Sequence, residues 1–251
     1  MQELTLPLCD FIQVSALSPR DVGWPTPSPF TLRFTSQRLT GARSAAISGS
    51  GIYLISMGSE VAYVGSYRPE AGDIVADRWA RHLQTITGRG YNIGLGGRDP
   101  TARCRTLLAA VDEEPLRQAI QNAYSYSRGE RFRDTGYNTT ANRLRFASEN
   151  WEVFGTAQGI EILRPLTFRL FRIRKHQVPR LAAEDVKAIE KAVLRAFKPI
   201  CNKEYDHVKH AALRPGSSVE AVTGAIRLAT RERTDKDVTD LVQLAGGDVV
   251  V

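Results

Sequence analysis

The chain has 251 residues, 42% of them hydrophobic and 24% charged, a composition suited to one large globular domain or a compact core carrying a substantial insertion. No apolar run approaches the ~20 residues of a membrane-spanning helix, and Met1 to Leu17 lack the features of a secretory signal, so a cytoplasmic protein with no membrane partner is expected. The net charge of +7 favours a polyanionic partner.

The kind of charge says more than its sum. Only seven of the 34 basic residues are lysine, all from Lys175 onward, so the first 174 residues use arginine alone. The guanidinium fork grips phosphates and guanine edges at two points, which an ammonium cannot do. Cys9, Cys104 and Cys201 are widely separated and include no Cys-x-x-Cys pair, which argues against a disulfide framework or a structural zinc site.

In chain order, residues 1–47 read as an irregular N-terminal arm, punctuated by Pro19, Pro25, Pro27 and Pro29, with one short strand around Phe30–Phe34. Gly51 to Ser56 and Val61 to Ser66 are rich in β-formers around a Met57-Gly58-Ser59-Glu60 turn and predict a hairpin. Ile74, Val75, Trp79, Leu83 and Ile86 have helical spacing and predict a helix over 73–86. Glycines then break the pattern, Leu107–Ala123 can form a helix interrupted or started near Pro115, and Arg128 to Arg145 is basic and aromatic. A strand is predicted over 166–174, the clearest helix over 183–197, and a last short helix over 219–230. No internal repeat is present.

Three pieces carry the chemistry. The first is the hairpin with Gly51-Ile52-Tyr53 on one strand and Tyr63-Val64-Gly65 on the next. The second is Arg78-Trp79-Ala80-Arg81-His82, in which Arg78 and His82 stack on one helical line beside an apolar stripe. The third is Glu190, on the margin of a face formed by Val186, Ile189, Val193, Leu194 and Phe197, followed by Lys198-Pro199-Ile200-Cys201-Asn202. A carboxylate in that position is costly unless donors or a cation compensate it.

Together these pieces resemble the GIY-YIG nucleases, with valine replacing isoleucine in the second half of the paired motif. Arg78 and His82 resemble the family's catalytic arginine and histidine, and Glu190 with Asn202 twelve residues on resembles its metal-binding glutamate and closing asparagine. The resemblance covers residues 48–88 and 160–206. It implies an α+β fold: a small core with a three-stranded antiparallel sheet flanked by helices, interrupted by an insertion over 89–159 and extended over 207–251. The long interval between His82 and Glu190 matches the restriction-endonuclease branch of that family.

The resemblance implies phosphodiester hydrolysis with one divalent metal, Mg²⁺ with Mn²⁺ as a substitute. Glu190 is its protein ligand, Arg78 holds the phosphate and Tyr53 accepts the proton of the attacking water. His82 relays that proton or orients the phenol, Tyr63 completes the pocket, and Asn202 ties the segment after the helix to the site. This needs Tyr53 and Tyr63 on one face of the hairpin, a register that sequence alone leaves open.

Double-stranded DNA is the expected partner, bound as a homodimer on a palindromic site. Candidate DNA contacts are Arg38, Arg43, Arg81, Arg98, Arg103, Arg131, Arg133, Asn138, Asn142 and Arg143, at bases or at phosphates. The alternatives are a repair, structure-specific or mobile-element nuclease and, in another class, a DNA-binding protein that has lost cleavage. His207 and His210 have the spacing of a metal pair without further ligands, and Gly94-Leu95-Gly96-Gly97 lacks the Lys-Ser/Thr of a phosphate-binding loop.

Overall fold

The computed structural model describes residues 2–18, 21, 23–38, 47, 49–67, 72–133, 138–173, 183–202 and 218–231. Its strands and helices, in chain order, are β1 (Gln2–Leu6), β2 (Ile12–Ala16), β3 (Leu32–Ser36), β4 (Ser50–Met57), β5 (Glu60–Tyr67), α1 (Gly72–Ile86), α2 (Pro100–Leu108), α3 (Glu114–Ser127), α4 (Ala141–Glu149), the single turn α5 (Trp151–Phe154), β6 (Leu166–Ile173), α6 (Ala183–Phe197) and α7 (Val219–Arg231). The fold is α+β. The chain divides into two compact units, one of Met1–Asp10, Arg38–Val75 and Pro165–Val251, the other of Phe11–Gln37 and Ala76–Arg164. The division falls within α1, so Arg78 and His82 belong to the second unit. Among the described residues no helix is long and apolar enough to cross a membrane.

The first unit is built on a four-stranded antiparallel sheet in the order β1-β6-β4-β5, one strand more than the resemblance implies. The extra strand comes from the segment read as an arm. Leu4 and Leu6 alternate with exposed Thr5 and stand opposite Leu170 and Phe168 of β6, which is the period-2 pattern of a half-buried strand. The rest of that segment, from Phe11 on, belongs to the second unit, where β2 pairs with β3. Ile12 and Val14 on one strand and Leu32 and Phe34 on the other bury the same face, and the intervening prolines hide that alternation in the sequence.

Two helices cover one face of the four-stranded sheet. Val186, Ile189, Val193 and Phe197 of α6 repeat at three and four residues and so form a single stripe. That stripe packs on Ile52, Leu54, Val64 and Phe171. Val219, Val222, Ala225, Ile226 and Ala229 of α7 enter the same cluster. The helix predicted over 219–230 is therefore part of the core, whereas residues 203–217 and 232–251 lie outside the described residues.

The opposite face is set by the hairpin register. Gly51 pairs with Tyr67, Tyr53 with Gly65, and Ile55 with Tyr63. Beyond Ile55 the register shifts so that Ser56 meets Val61, leaving Ala62 as the extra residue of a bulge. Tyr53, Tyr63 and Tyr67 thus share one face, and both glycines lie under rings. A Cβ on Gly65 would stand 2.5 Å from the Tyr53 hydroxyl, and one on Gly51 would stand 2.6 Å from the Tyr67 ring. Only glycine permits such an approach.

In the second unit the insertion is helical. Of the two readings of residues 107–123, a helix interrupted at Pro115 or started near it, the second holds: α2 ends at Leu108 and α3 starts at Glu114 with Pro115 in its first turn, where its missing N–H costs nothing. Arg117 closes the gap by donating to the carbonyls of Leu108 and Val111, each at 2.9 Å. Arg89, buried, donates to the carbonyls of Pro29, Phe154 and Gly155 and ties three stretches of this unit together.

The glycine contacts give a direct test. Gly65→Ala lowers unfolding free energy by about 1–3 kcal/mol, the usual range for overpacking a close-fitted site. In a Tyr53→Ala background the same change costs less, because the ring it strikes is gone. Urea denaturation of the four proteins of this cycle measures the difference.

Candidate active site

The residues singled out in the hairpin and in α6 converge on three consecutive positions of β5, the edge strand of its sheet. At Val64 the Asn202 side chain accepts from the backbone N–H (3.0 Å) and donates to the backbone carbonyl (2.7 Å). Cys201 N–H donates to the bulge carbonyl of Ala62 at 2.8 Å. The segment after α6 thus continues the sheet, with one amide side chain standing in for a strand's peptide group. An open edge at this point would leave buried donors and acceptors unsatisfied. Asn202 is buried and its amide is spent on this strap, so it is a positioning residue.

At Gly65 lies the Tyr53 ring. Tyr53 is 0% exposed, with its hydroxyl closed to bulk solvent and its ring stacked on Phe168 at 5.4 Å between centroids. The Tyr63 ring is 5.9 Å from that of Tyr53 and tilted by 31°. The two phenols share a face, one diagonal step apart rather than directly opposed. Tyr67, which the sequence reading did not single out, has the same parity. Its hydroxyl is buried with no hydrogen-bond partner among the described residues, and burial pushes the phenol far above its usual range while nearby Arg172 opposes the shift.

At Ser66 the strand turns its side chain to the other face. The Ser66 hydroxyl donates to Glu190 Oε2 at 2.6 Å, and the Lys187 ammonium, one helical turn before Glu190, binds the same oxygen. Glu190 is 4% exposed, and neither contact uses Oε1. The carboxylate expected at the margin of an apolar face is therefore buried, held among the described residues by one hydroxyl and one cation. Glu190 and the phenols lie on opposite faces of the sheet, flanking neighbouring residues of its edge strand.

The second unit holds the other pieces. On α1, Trp79 is fully buried against Phe11, ring centroids 5.9 Å apart, which leaves Arg78 and Arg81 exposed and His82 half-buried. Burial, followed by the positive charges of Arg143, Arg78 and Arg81, holds the His82 imidazole well below its usual pKa. It is a neutral base beside three guanidinium groups.

The candidate DNA contacts divide. Arg38, Arg81, Arg98 and Arg133 are exposed. Arg143 is buried and donates to the Thr85 hydroxyl at 2.8 Å, and Asn142 is buried beside it on α4, so neither reaches a groove. Arg103 donates to the carbonyls of Leu95 and Thr139, Asn138 accepts from Gly96 N–H at 3.1 Å, and Arg131 lies 4.3 Å over the Trp24 ring and donates to Gly23. These three hold the fold of the unit, because its glycine-broken loops need side-chain donors and acceptors to satisfy their backbone. Arg43, His176, His207 and His210 lie outside the described residues.

Among the described residues, no group of three or more His, Cys, Asp or Glu side chains is gathered for a metal. A single carboxylate such as Glu190 is compatible with a hard cation that keeps most of its waters, the way Mg²⁺ is commonly bound. No family model, curated protein or solved structure matches this chain.

Asn202→Ala strands both polar groups of the Val64 backbone at about 1–3 kcal/mol each, while Asn202→Asp keeps the acceptor and falls between; urea denaturation ranks the three. The His82 shift gives a pH prediction. An unfolded imidazole takes its proton near 6.5, but the folded one does so only at lower pH. Between these values the unfolded state holds more protons, so stability falls as the pH drops below about 6.5 and the loss ends once the folded His82 protonates. Unfolding free energies from about pH 7.5 to about pH 5 show this slope in the wild type and a flatter one in His82→Gln.

Proposed function

We propose that the protein is a metal-dependent endonuclease of the GIY-YIG type that cuts double-stranded DNA at a fixed sequence. The observation that carries this reading is the convergence on β5: Asn202 at Val64, Tyr53 over Gly65 and Glu190 at Ser66. Nothing in packing alone requires a carboxylate and a phenol to flank adjacent residues of an edge strand. Beyond the stretch that Asn202 and Cys201 cover, a phosphate beside the Gly65–Ser66 end of that edge would meet groups from both faces of the sheet.

Glu190 would hold Mg²⁺ or Mn²⁺ in this reading, an ion that would supply charge neutralisation at the phosphate. Arg78 grips the phosphate oxygens with its fork of donors. Because the Tyr53 hydroxyl is closed to bulk solvent, Tyr53 acts with the more accessible Tyr63, 6% exposed, in taking the proton of the attacking water. Burial and the neighbouring guanidinium groups that hold His82 neutral also make it a weak proton acceptor, so we assign it the orienting role rather than the relay. Exposed Arg38, Arg81, Arg98 and Arg133 contact the duplex. A homodimer on a palindromic site is the form we assign, since two-fold protein symmetry matches such a site.

A digest of mixed plasmid and phage DNA in Mg²⁺ tests the proposal. The wild type gives discrete, reproducible bands, Glu190→Ala gives none, and Arg78→Ala cuts about 10²–10³-fold more slowly, as expected when a charge-stabilising donor is removed. Cutting confined to branched or damaged DNA would assign a structure-specific nuclease instead. Tight binding without cutting in any metal would leave a binding protein.

A further inference from the structure

The sequence pattern around Glu190 does not anticipate its company. Ser66 and Lys187 both bind Oε2, from opposite sides in the chain: one from the edge strand, one from the preceding turn of α6. The Lys187 side chain is 41% exposed and that of Glu190 only 5%, so the two partners differ in freedom. The carboxylate is closed off from solvent and the ammonium is not.

A carboxylate this buried is costly without a compensating charge. The Ser66 hydroxyl offers a hydrogen bond but no charge. On α6, Lys191 and Arg195 are exposed and directed to solvent, and Lys187 is the cation that meets Glu190. Any divalent cation arriving at Glu190 therefore comes to an oxygen pair already neutralised by a tethered monovalent one. Two full cations at one carboxylate repel each other at contact distance.

We propose that Lys187 is the resident counter-cation of a metal site at Glu190, displaced into solvent or toward the substrate's phosphate when a divalent ion binds, with Ser66 fixing the carboxylate throughout. This rests on the reading of Glu190 as a metal ligand. It makes Lys187 a positioning residue with a selective role: it stabilises the metal-free protein, weakens metal binding in the absence of DNA, and favours loading when a phosphate is present to receive the ammonium. Ser66 has the opposite signature, since its bond serves the carboxylate with or without metal.

The test is Mn²⁺ binding to the DNA-free full-length protein, followed by the electron paramagnetic resonance of unbound Mn²⁺, together with thermal melts with and without Mn²⁺. Lys187→Met binds Mn²⁺ about two- to fivefold more tightly than the wild type, the range set by an ion pair with one exposed partner. It also melts lower without the ion and gains more on adding it. Lys187→Arg keeps wild-type behaviour, and Ser66→Ala binds Mn²⁺ more weakly. Equal or weaker Mn²⁺ binding by a Lys187→Met protein with wild-type circular dichroism would overturn the proposal; if that variant does not fold, Lys187→Gln takes its place under the same criterion. Glu190→Gln separates the two layers. Loss of Mn²⁺ binding in Glu190→Gln with no gain in Lys187→Met removes the counter-cation alone, whereas unchanged binding in Glu190→Gln removes the metal reading and this inference with it.

Discussion

A tyrosine ring can lie flat on an edge strand only where that strand has no side chain beneath it. Gly65 provides that place for Tyr53, and Gly51 does the same for Tyr67 from the neighbouring strand. The two contacts lock the hairpin, because a slip of one residue would drive a Cβ into each ring and turn the phenols to the other face. With the register fixed, Val64 and Ser66 face away from the phenols, and α6 and the segment that follows it attach to them. Asn202 takes the backbone of Val64, and Glu190 takes the hydroxyl of Ser66. Most of the constellation in the first unit follows from where those two rings rest.

The carboxylate is held differently from the phenols. Tyr53 sits in an apolar setting against Phe168, where packing decides its position. Glu190 sits buried at the margin of the helix stripe of Ile189 and Val193, and there packing would expel it. Its place is kept by a hydrogen bond and a charge, both on one oxygen. Hydrophobic burial and local electrostatics thus hold neighbouring groups across a single strand. His82, in the other unit, shows the converse: burial and nearby guanidinium groups keep it neutral by opposing its protonation.

The legible parts of the fold were those whose pattern is local. The hairpin and the helices over 72–86 and 183–197 each carry their own periodicity, and their observed bounds lie within two residues of those predicted. β1 and β2 were not read, since each is five residues long and gains its meaning only from a distant partner: Leu4 from Leu170, Val14 from Phe34. The same distinction runs through the site. Tyr53, Glu190 and Asn202 stood out through motif order, but Ser66 and Tyr67 carried a signal of strand parity that was present and unused. Composition does not show which arginines of the insertion serve the fold: Arg103, Arg131 and Arg143 each bind a carbonyl, a hydroxyl or a ring within their own unit.

The account claims that a phenol and a carboxylate on opposite faces of β5 act on one phosphate. Single-turnover cleavage of one duplex by the wild type, Tyr53→Phe, Glu190→Gln and the double variant tests this most directly. Groups that serve one transition state are not additive, so the double variant should be no slower than the slower single variant within about a factor of three. Losses that multiply in full, or a Tyr53→Phe enzyme that cuts at the wild-type rate, would contradict it.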